Sequence, residues 1–339
     1  MSEIITNIEL IDAPPIKGLQ FRGFAGEPDF AKMITLIDAC KHIDNDDHSE
    51  TIEDLRIKYA NLTNCDPYQD MLFVDLHGDT IGYSRITWWR VVKTLEYKYS
   101  SFFFLLPQHR GKGIEEVMLN WAETRLRSIS MANGHGGDRS FASDTFGHMN
   151  FKVHLYEKQG YIPERYFHFM KRSLSDVIPE RDLPEGIEVR PVTPDQHRKI
   201  WAAANEAFLD HWGVNELSEA DYQAFIQSRW FQPQLWQVAW EGDEVVGSVQ
   251  NFIDDLENVE YNRKRGYTEG ISVRRPWRKR GIAAALIVRS MRMHKALGMD
   301  EVALGVDTES LTGALDLYSN LGYRVFKNII VFRKPFPAE

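Results

Sequence analysis

Ile271-Ser272-Val273-Arg274-Arg275-Pro276-Trp277-Arg278-Lys279-Arg280-Gly281-Ile282-Ala283-Ala284-Ala285-Leu286 runs from an apolar strand through a basic turn straight into a helix. Ile271 and Val273 fall on one side of an extended segment, and Pro276 ends it because proline donates nothing to a ladder. Gly281 has no Cβ, so a ligand can lie directly on the backbone there, and Ala283 keeps the next half-turn nearly as open. The helix that follows carries Ile282, Leu286, Met293 and Leu297 on one stripe and stops at Gly298, a residue suited to a left-handed cap. Its first-turn N–H groups and positive dipole end therefore face the glycine, and Arg278, Lys279 and Arg280 add charge. That order of residues makes a site for an anion, and a diphosphate is the natural occupant.

The 339 residues exceed one common domain, and a hydrophobic share of 43% is enough for two cores. A net charge of -9 argues against general nucleic-acid or anionic-membrane binding, which needs an excess of Lys and Arg. Cys40 and Cys65 are the only cysteines, so a disulfide framework is not expected and a reducing compartment fits. There is no cationic start followed by an apolar core, and every apolar run is far shorter than the roughly 18–20 residues of a membrane span. A soluble, cytoplasmic protein is expected. The scattered histidines have no ligand spacing with cysteine or carboxylate, so no metal is expected.

Comparison of the two halves reveals a tandem repeat. Gly18-Leu19-Gln20-Phe21-Arg22 resembles Gly186-Ile187-Glu188-Val189-Arg190, and Leu105 to Ile114 matches Val273 to Ile282 at the same offset of 168 residues. In this register Arg110 falls on Arg278, Gly113 on Gly281 and Glu115 on Ala283. Leu155 to Tyr161 matches Leu317 to Tyr323 at an offset of 162, which places Lys152 opposite Ala314. The division expected is 1–178 and 187–339, joined by Pro179 to Gly186. Helices are expected at Phe30–Cys40, Ser49–Leu62, His197–Leu209 and Ser218–Ser228, with hairpins about His77-Gly78-Asp79 and Glu241-Gly242-Asp243. Strands are expected at Phe102–Leu106 and Thr268–Val273. Asn133 to Asp138 has no following Lys-Ser/Thr and reads as a surface loop.

Arg278-x-x-Gly281-x-Ala283 resembles the Q/R-x-x-G-x-G/A signature of the GCN5-related N-acetyltransferases (GNAT), and Ala314-Leu315-Asp316-Leu317-Tyr318-Ser319-Asn320-Leu321-Gly322-Tyr323 resembles their A-x-x-L-Y-x-x-L-G-F/Y motif. In its arrangement the chain is similar to the mycothiol synthase-like tandem acetyltransferases. The resemblance implies an α+β class: two tandem GNAT folds, each a mixed, mostly antiparallel sheet flanked by helices. It implies acetyl-CoA as donor, held by Ile271, Ser272, Val273, Arg278, Lys279, Arg280, Gly281, Ile282, Ala283 and Ala284. Ser310 stands where related tandem proteins carry an asparagine on pantetheine. The Val273 N–H corresponds to the family's oxyanion donor, and Tyr318 to the tyrosine that protonates the departing thiolate or, on packing grounds alone, to a core aromatic. Glu269 is a candidate base, displaced by two residues from the relatives' glutamate, which aligns with Tyr267; otherwise it is a strand-end charge.

Asp210, His211 and Trp212, at the end of a helix, are candidates for the acceptor pocket, with the alternative of an ordinary helix terminus. Glu115, bulky and negative where a small residue is expected, should exclude a diphosphate from the first half and leave it a scaffold. The function implied is transfer of acetyl to a primary amine of a small molecule by direct attack. A lysine or N-terminal protein acetyltransferase and a noncatalytic coenzyme A sensor are the alternatives. A monomer or weak homodimer is expected.

Overall fold

Both expected hairpins turn where glycine sits at positive φ, Gly78 at 94° and Gly242 at 57°. The computed structural model describes residues 7–47 and 49–336. The first repeat runs β1 (Leu19–Arg22), α1 (Pro28–Lys41), α2 (Ile52–Ala60), α3 (Pro67–Asp70), β2 (Met71–Leu76), β3 (Asp79–Arg90), β4 (Tyr97–Leu105), α4 (Ile114–Ala132), β5 (Arg139–Phe146), α5 (Asn150–Lys158) and β6 (Ile162–Ser173). The second runs β7 (Glu188–Val189), α6 (His197–Phe208), α7 (Glu219–Gln227), β8 (Gln237–Glu241), β9 (Glu244–Ile253), α8 (Asp255–Glu260), β10 (Arg265–Val273), α9 (Ile282–Ala296), β11 (Glu301–Asp307), α10 (Ala314–Asn320) and β12 (Arg324–Pro335). Helix α2 starts at Ile52, three residues after the expected start, because Thr51 caps it: its hydroxyl accepts from Asp54 N–H at 3.1 Å while the Asp54 carboxylate accepts from Thr51 N–H.

In the first unit the sheet order is β1-β2-β3-β4-β5, antiparallel except for the β4–β5 pair. Alternation along β2 sends Leu72 and Val74 toward α4 with Tyr99, Phe103, Ile114 and Met118, and Met71 and Phe73 toward α1 and α2 with Phe30, Met33 and Leu55. The Asn133–Asp138 loop is tied down by His135, whose ring stacks on Tyr97 at 4.0 Å and meets the Tyr99 hydroxyl at 2.7 Å.

In the second unit the order is β6-β11-β10-β9-β8-β7, with β10–β11 the parallel pair. Helix α9 buries Leu286, Ile287 and Met291 against Val246, Val249, Val302 and Leu304, and the opposite face packs Ile200 of α6 with Trp236, Val238 and Trp240. Each unit is thus the mixed, mostly antiparallel sheet with helices on both faces that the sequence implies.

The compact units do not follow chain order as 1–178 and 187–339 do. The first contains the chain through Glu164 with Ser218–Ala224 and the residues from Ile330 on; the second contains Arg165–Leu217 and Phe225–Ile329. Strand pairing rather than chain order decides membership: β6, which closes the first repeat, pairs from Phe167 to Ser173 along β11. Leu183, inside the expected linker, packs on the second core. Among the described residues no helix is long and apolar enough to cross a membrane.

Candidate active site

Strand β10 is broken where a ligand would need it open. Its ladder with β9 shifts register between Glu269 and Ser272, at Gly270, whose φ of 56° and close approach to the Gln250 side chain suit a bulge. Its pairing with β11 covers only Arg265 to Tyr267, against Glu301 to Ala303. Beyond Tyr267 the two strands part. The Arg274 N–H donates to Val246 O at 2.9 Å, so by the alternation of an antiparallel ladder the preceding Val273 N–H points to the other edge, into the gap. Gly247 opposite Val273 is required, since a Cβ there would stand 2.6 Å from Ser272 O.

The basic turn closes one end of this gap. Lys279 and Gly281 have φ of 60° and 84°, and Gly281 is the N-cap of α9 with no side-chain cap on the first-turn N–H groups. A Cβ built on Gly281 would meet no atom within 4 Å, so the space above those N–H groups is open. The Arg278 guanidinium braces the turn from behind, with Nε donating to Val273 O at 2.9 Å, Nη2 to Ala207 O at 3.0 Å, and Nη1 to Asp210 Oδ2 at 2.6 Å. Arg280 turns toward Glu241 at 3.5 Å. Among the described residues Lys279 has no carboxylate partner, and it lines the cleft.

The cleft, about 400 Å³, is lined by Ile271, Ser272 and Val273 of β10, by Lys279 and Gly281 of the turn, and by Ile282, Ala283 and Ala284 of α9. That volume lies in the range of small-molecule sites. Tyr318, only 6% exposed, reaches it from α10, and its hydroxyl has no hydrogen-bond partner within the described protein. Burial, reinforced by the charge of Glu269, pushes the phenol above its ordinary value, so it stays protonated at neutral pH. Glu269 Oε1 accepts from Gly305 N–H at 2.8 Å. Burial pushes its carboxyl up to about 7 although that N–H favours the anion. Tyr267 instead donates its hydroxyl to Glu257 and stacks on Phe252 at 4.7 Å.

Other expected residues fall elsewhere. Asp210 does not stand open for an ammonium: Arg275 takes both of its oxygens and Arg278 one, which holds its carboxyl well below the usual carboxylate range. It anchors the turn through Arg278. Asp210→Asn should therefore raise the Kd for coenzyme A on the order of fivefold, as expected for loss of a partly exposed ion pair, with kcat unchanged; calorimetry beside steady-state kinetics checks this. His211 lines the cleft next to Phe208, and burial lowers its imidazole below the ordinary value. Trp212 lies 6.3 Å from Phe167 and under the Arg165 guanidinium. Ser310 does not line the cleft; its hydroxyl meets Thr312 Oγ1 at 2.9 Å, and Leu311 and Thr312 line it instead. Ala207, Phe208 and Trp277 are lining residues that sequence reasoning missed.

The counterpart in the first unit repeats the turn and closes it. Gly113 caps α4 with φ of 86°, and Arg110 Nε donates to Leu105 O at 3.0 Å, so the 168-residue register holds and Gly111 corresponds to Lys279. Glu115 is 5% exposed, and its Oε1 accepts from Gly111 N–H. The chain thus supplies its own anion. Lys152 donates Nζ to Phe103 O at 3.0 Å, at the position of Ile271 in the second unit, and burial lowers its pKa. The β3–β4 ladder runs from Gly82–Leu105 to Arg90–Tyr97 without a shift. A carboxylate stands on the turn and an ammonium in the strand gap.

Residues 199–323 match the acetyltransferase (GNAT) family model. The chain is 28% identical over 233 residues to a mycothiol acetyltransferase of Streptomyces scabiei, which is 67% of this chain and 68% of that one. The crystal structure of a GCN5-related N-acetyltransferase from Sphaerobacter thermophilus has a TM-score of 0.72 at 26% identity, covering 96% of this chain and 98% of the other. A tandem GNAT protein from the clavulanic acid biosynthesis pathway shares the fold with a TM-score of 0.63 at 11% identity over 95% and 99% of the two chains.

Proposed function

This chain is a GNAT-family acyltransferase with the tandem GNAT fold, and from that premise we propose that it transfers acetyl from acetyl-CoA to the primary amine of a small molecule, at one site in the second unit. The observation that carries this reading is the alignment of an open, uncapped helix start at Gly281 with a strand gap that receives the Val273 N–H and Tyr318. The turn and the first turn of α9 have the donors for a diphosphate, and Ile271 to Val273 present an extended edge for the amide-rich arm of coenzyme A. The residues present fit that donor.

Glu269, deprotonated, removes one proton from the acceptor ammonium, and the neutral nitrogen attacks the thioester carbonyl carbon. The Val273 N–H is aimed at the oxygen that gains charge, an interaction worth roughly 3 kcal/mol when the donor is fixed. As the C–S bond breaks, Tyr318 gives its proton to the sulfur, and the second proton leaving the amide nitrogen restores the phenol. One proton passes to solvent through Glu269. The products are the N-acetyl amide and free coenzyme A.

Release of coenzyme A thiol with a panel of primary amines tests the reading. Tyr318→Phe should slow transfer at least tenfold while the Kd for coenzyme A changes little. An unchanged rate would make Tyr318 a packing residue, and no turnover on any amine by a protein that binds coenzyme A would leave a binding module.

A further inference from the structure

The face of the second sheet that bears α6 is unusually aromatic where Glu269 emerges. Tyr267 and Glu269 of β10 lie opposite Phe252 and Gln250 of β9. On the other side Gly305 of β11 pairs with Phe169 of β6, and Asp307 with Phe167. A Cβ on Gly305 would meet Glu269 Oε1 at 3.8 Å and a Phe169 ring carbon at 3.9 Å, so carboxylate and ring flank the same bare backbone. Phe167 leads on to Trp212. These rings are half-buried.

The charges nearby are already matched. Arg165 holds Asp307 through two contacts of 2.8 Å and also binds Glu309. Glu257 is taken by Arg263 and Tyr267, and Glu301 by Arg265 and Lys171. Among the described residues Glu269 alone on this face has no cationic partner. A ligand here finds one carboxylate for an ammonium, the Gln250 amide opposite it, and ring faces for its body. An ammonium is attracted both by the carboxylate and by the negative faces of the rings, and an aromatic body adds ring stacking on them.

We propose that the acceptor is a primary amine on a flat, largely apolar body, the arylalkylamine class, with its nitrogen at Glu269 and its body across Phe169, Phe167 and Trp212. This rests on the acetyl-transfer reading above. It separates the acceptor from aminosugars and from protein lysines, neither of which has an aromatic ring to stack.

The test compares 2-phenylethylamine, glucosamine and a lysine peptide at saturating acetyl-CoA, by release of coenzyme A thiol. 2-Phenylethylamine should show a kcat/KM at least tenfold above the other two; equal or higher values for glucosamine or the peptide would overturn the proposal. Phe169→Ala should raise the KM for 2-phenylethylamine about tenfold and leave the KM for acetyl-CoA unchanged, and Phe169→Tyr should restore it. If no amine is turned over, the transfer reading fails. Calorimetry of 2-phenylethylamine on the coenzyme A-loaded protein then decides the inference alone: binding that weakens in Phe169→Ala upholds it, and no binding refutes it.

Discussion

Ala283→Glu should abolish coenzyme A binding, with a loss of at least a hundredfold, equivalent to about 3 kcal/mol, while the fold survives. The change copies into the second unit what the first already carries, since Glu115 occupies the matching position and takes the Gly111 N–H. Ala283 is half-buried, helical and on the cleft, so a glutamate side chain has room to enter it. An acidic residue in the first turn of a helix is favourable in itself. The introduced carboxylate would compete for the turn's donors and repel the diphosphate. Calorimetric titration reads the effect, and an undiminished thermal midpoint shows that the loss is local. The parent protein should bind one coenzyme A per chain. Two equal sites would mean that the Glu115 carboxylate yields to the ligand and that Lys152 leaves Phe103 O. Glu115→Gly alone should gain at most weak binding, because the Lys152 ammonium still fills the strand gap.

Glu269→Gln should lower kcat/KM about a hundredfold at pH 8, the range expected for loss of a general base. The sign of the pH dependence follows from burial. Its carboxyl is pushed up to about 7, so below that pH it holds a proton and cannot accept one from the amine. The parent's rate should therefore rise with pH through about 7 and level off above, and the glutamine variant should lose that rising limb. Coenzyme A affinity should not change. Stability gives a second reading. The raised value means that the folded state holds this proton more tightly than the unfolded chain, so the associated stability is full below about 4.5 and is lost as pH rises to about 7. The glutamine variant avoids that loss and should melt higher than the parent at pH 8, but not at pH 4. An unaltered pH profile would reduce Glu269 to a side chain that holds the Gly305 N–H.

Much of the site was legible in the chain because local patterns carry local physics. Gly281 and Gly113 reveal the backbone conformation of their own residues, and Pro276 the turn that follows the end of β10 at Val273. The repeat offset was readable for the same reason: both turns keep the arginine and the helix-capping glycine, although Lys279 takes the positive φ that Gly111 has in the first. Tyr318 could be placed from its spacing to Gly322, since both belong to one short helix and its cap.

Sequence alone thus carried the two folds, the glycine-capped basic turn of the second half, and the carboxylate at the matching position of the first. Partners chosen by sheet order were decided only in three dimensions. Asp210 anchors Arg278 across 68 residues and Arg165 reaches Asp307 across 142, separations that no local pattern encodes. The bulge at Gly270 and the early end of the β10–β11 ladder turned Val273 N–H toward the cleft, and burial among residues from four strands set the Glu269 carboxyl near neutrality. Phe167 and Phe169 belong by sequence to the first repeat, yet strand pairing delivers them to the second unit's face. Backbone conformation is governed by near neighbours along the chain; electrostatics and desolvation depend on whichever segments the ladder brings together.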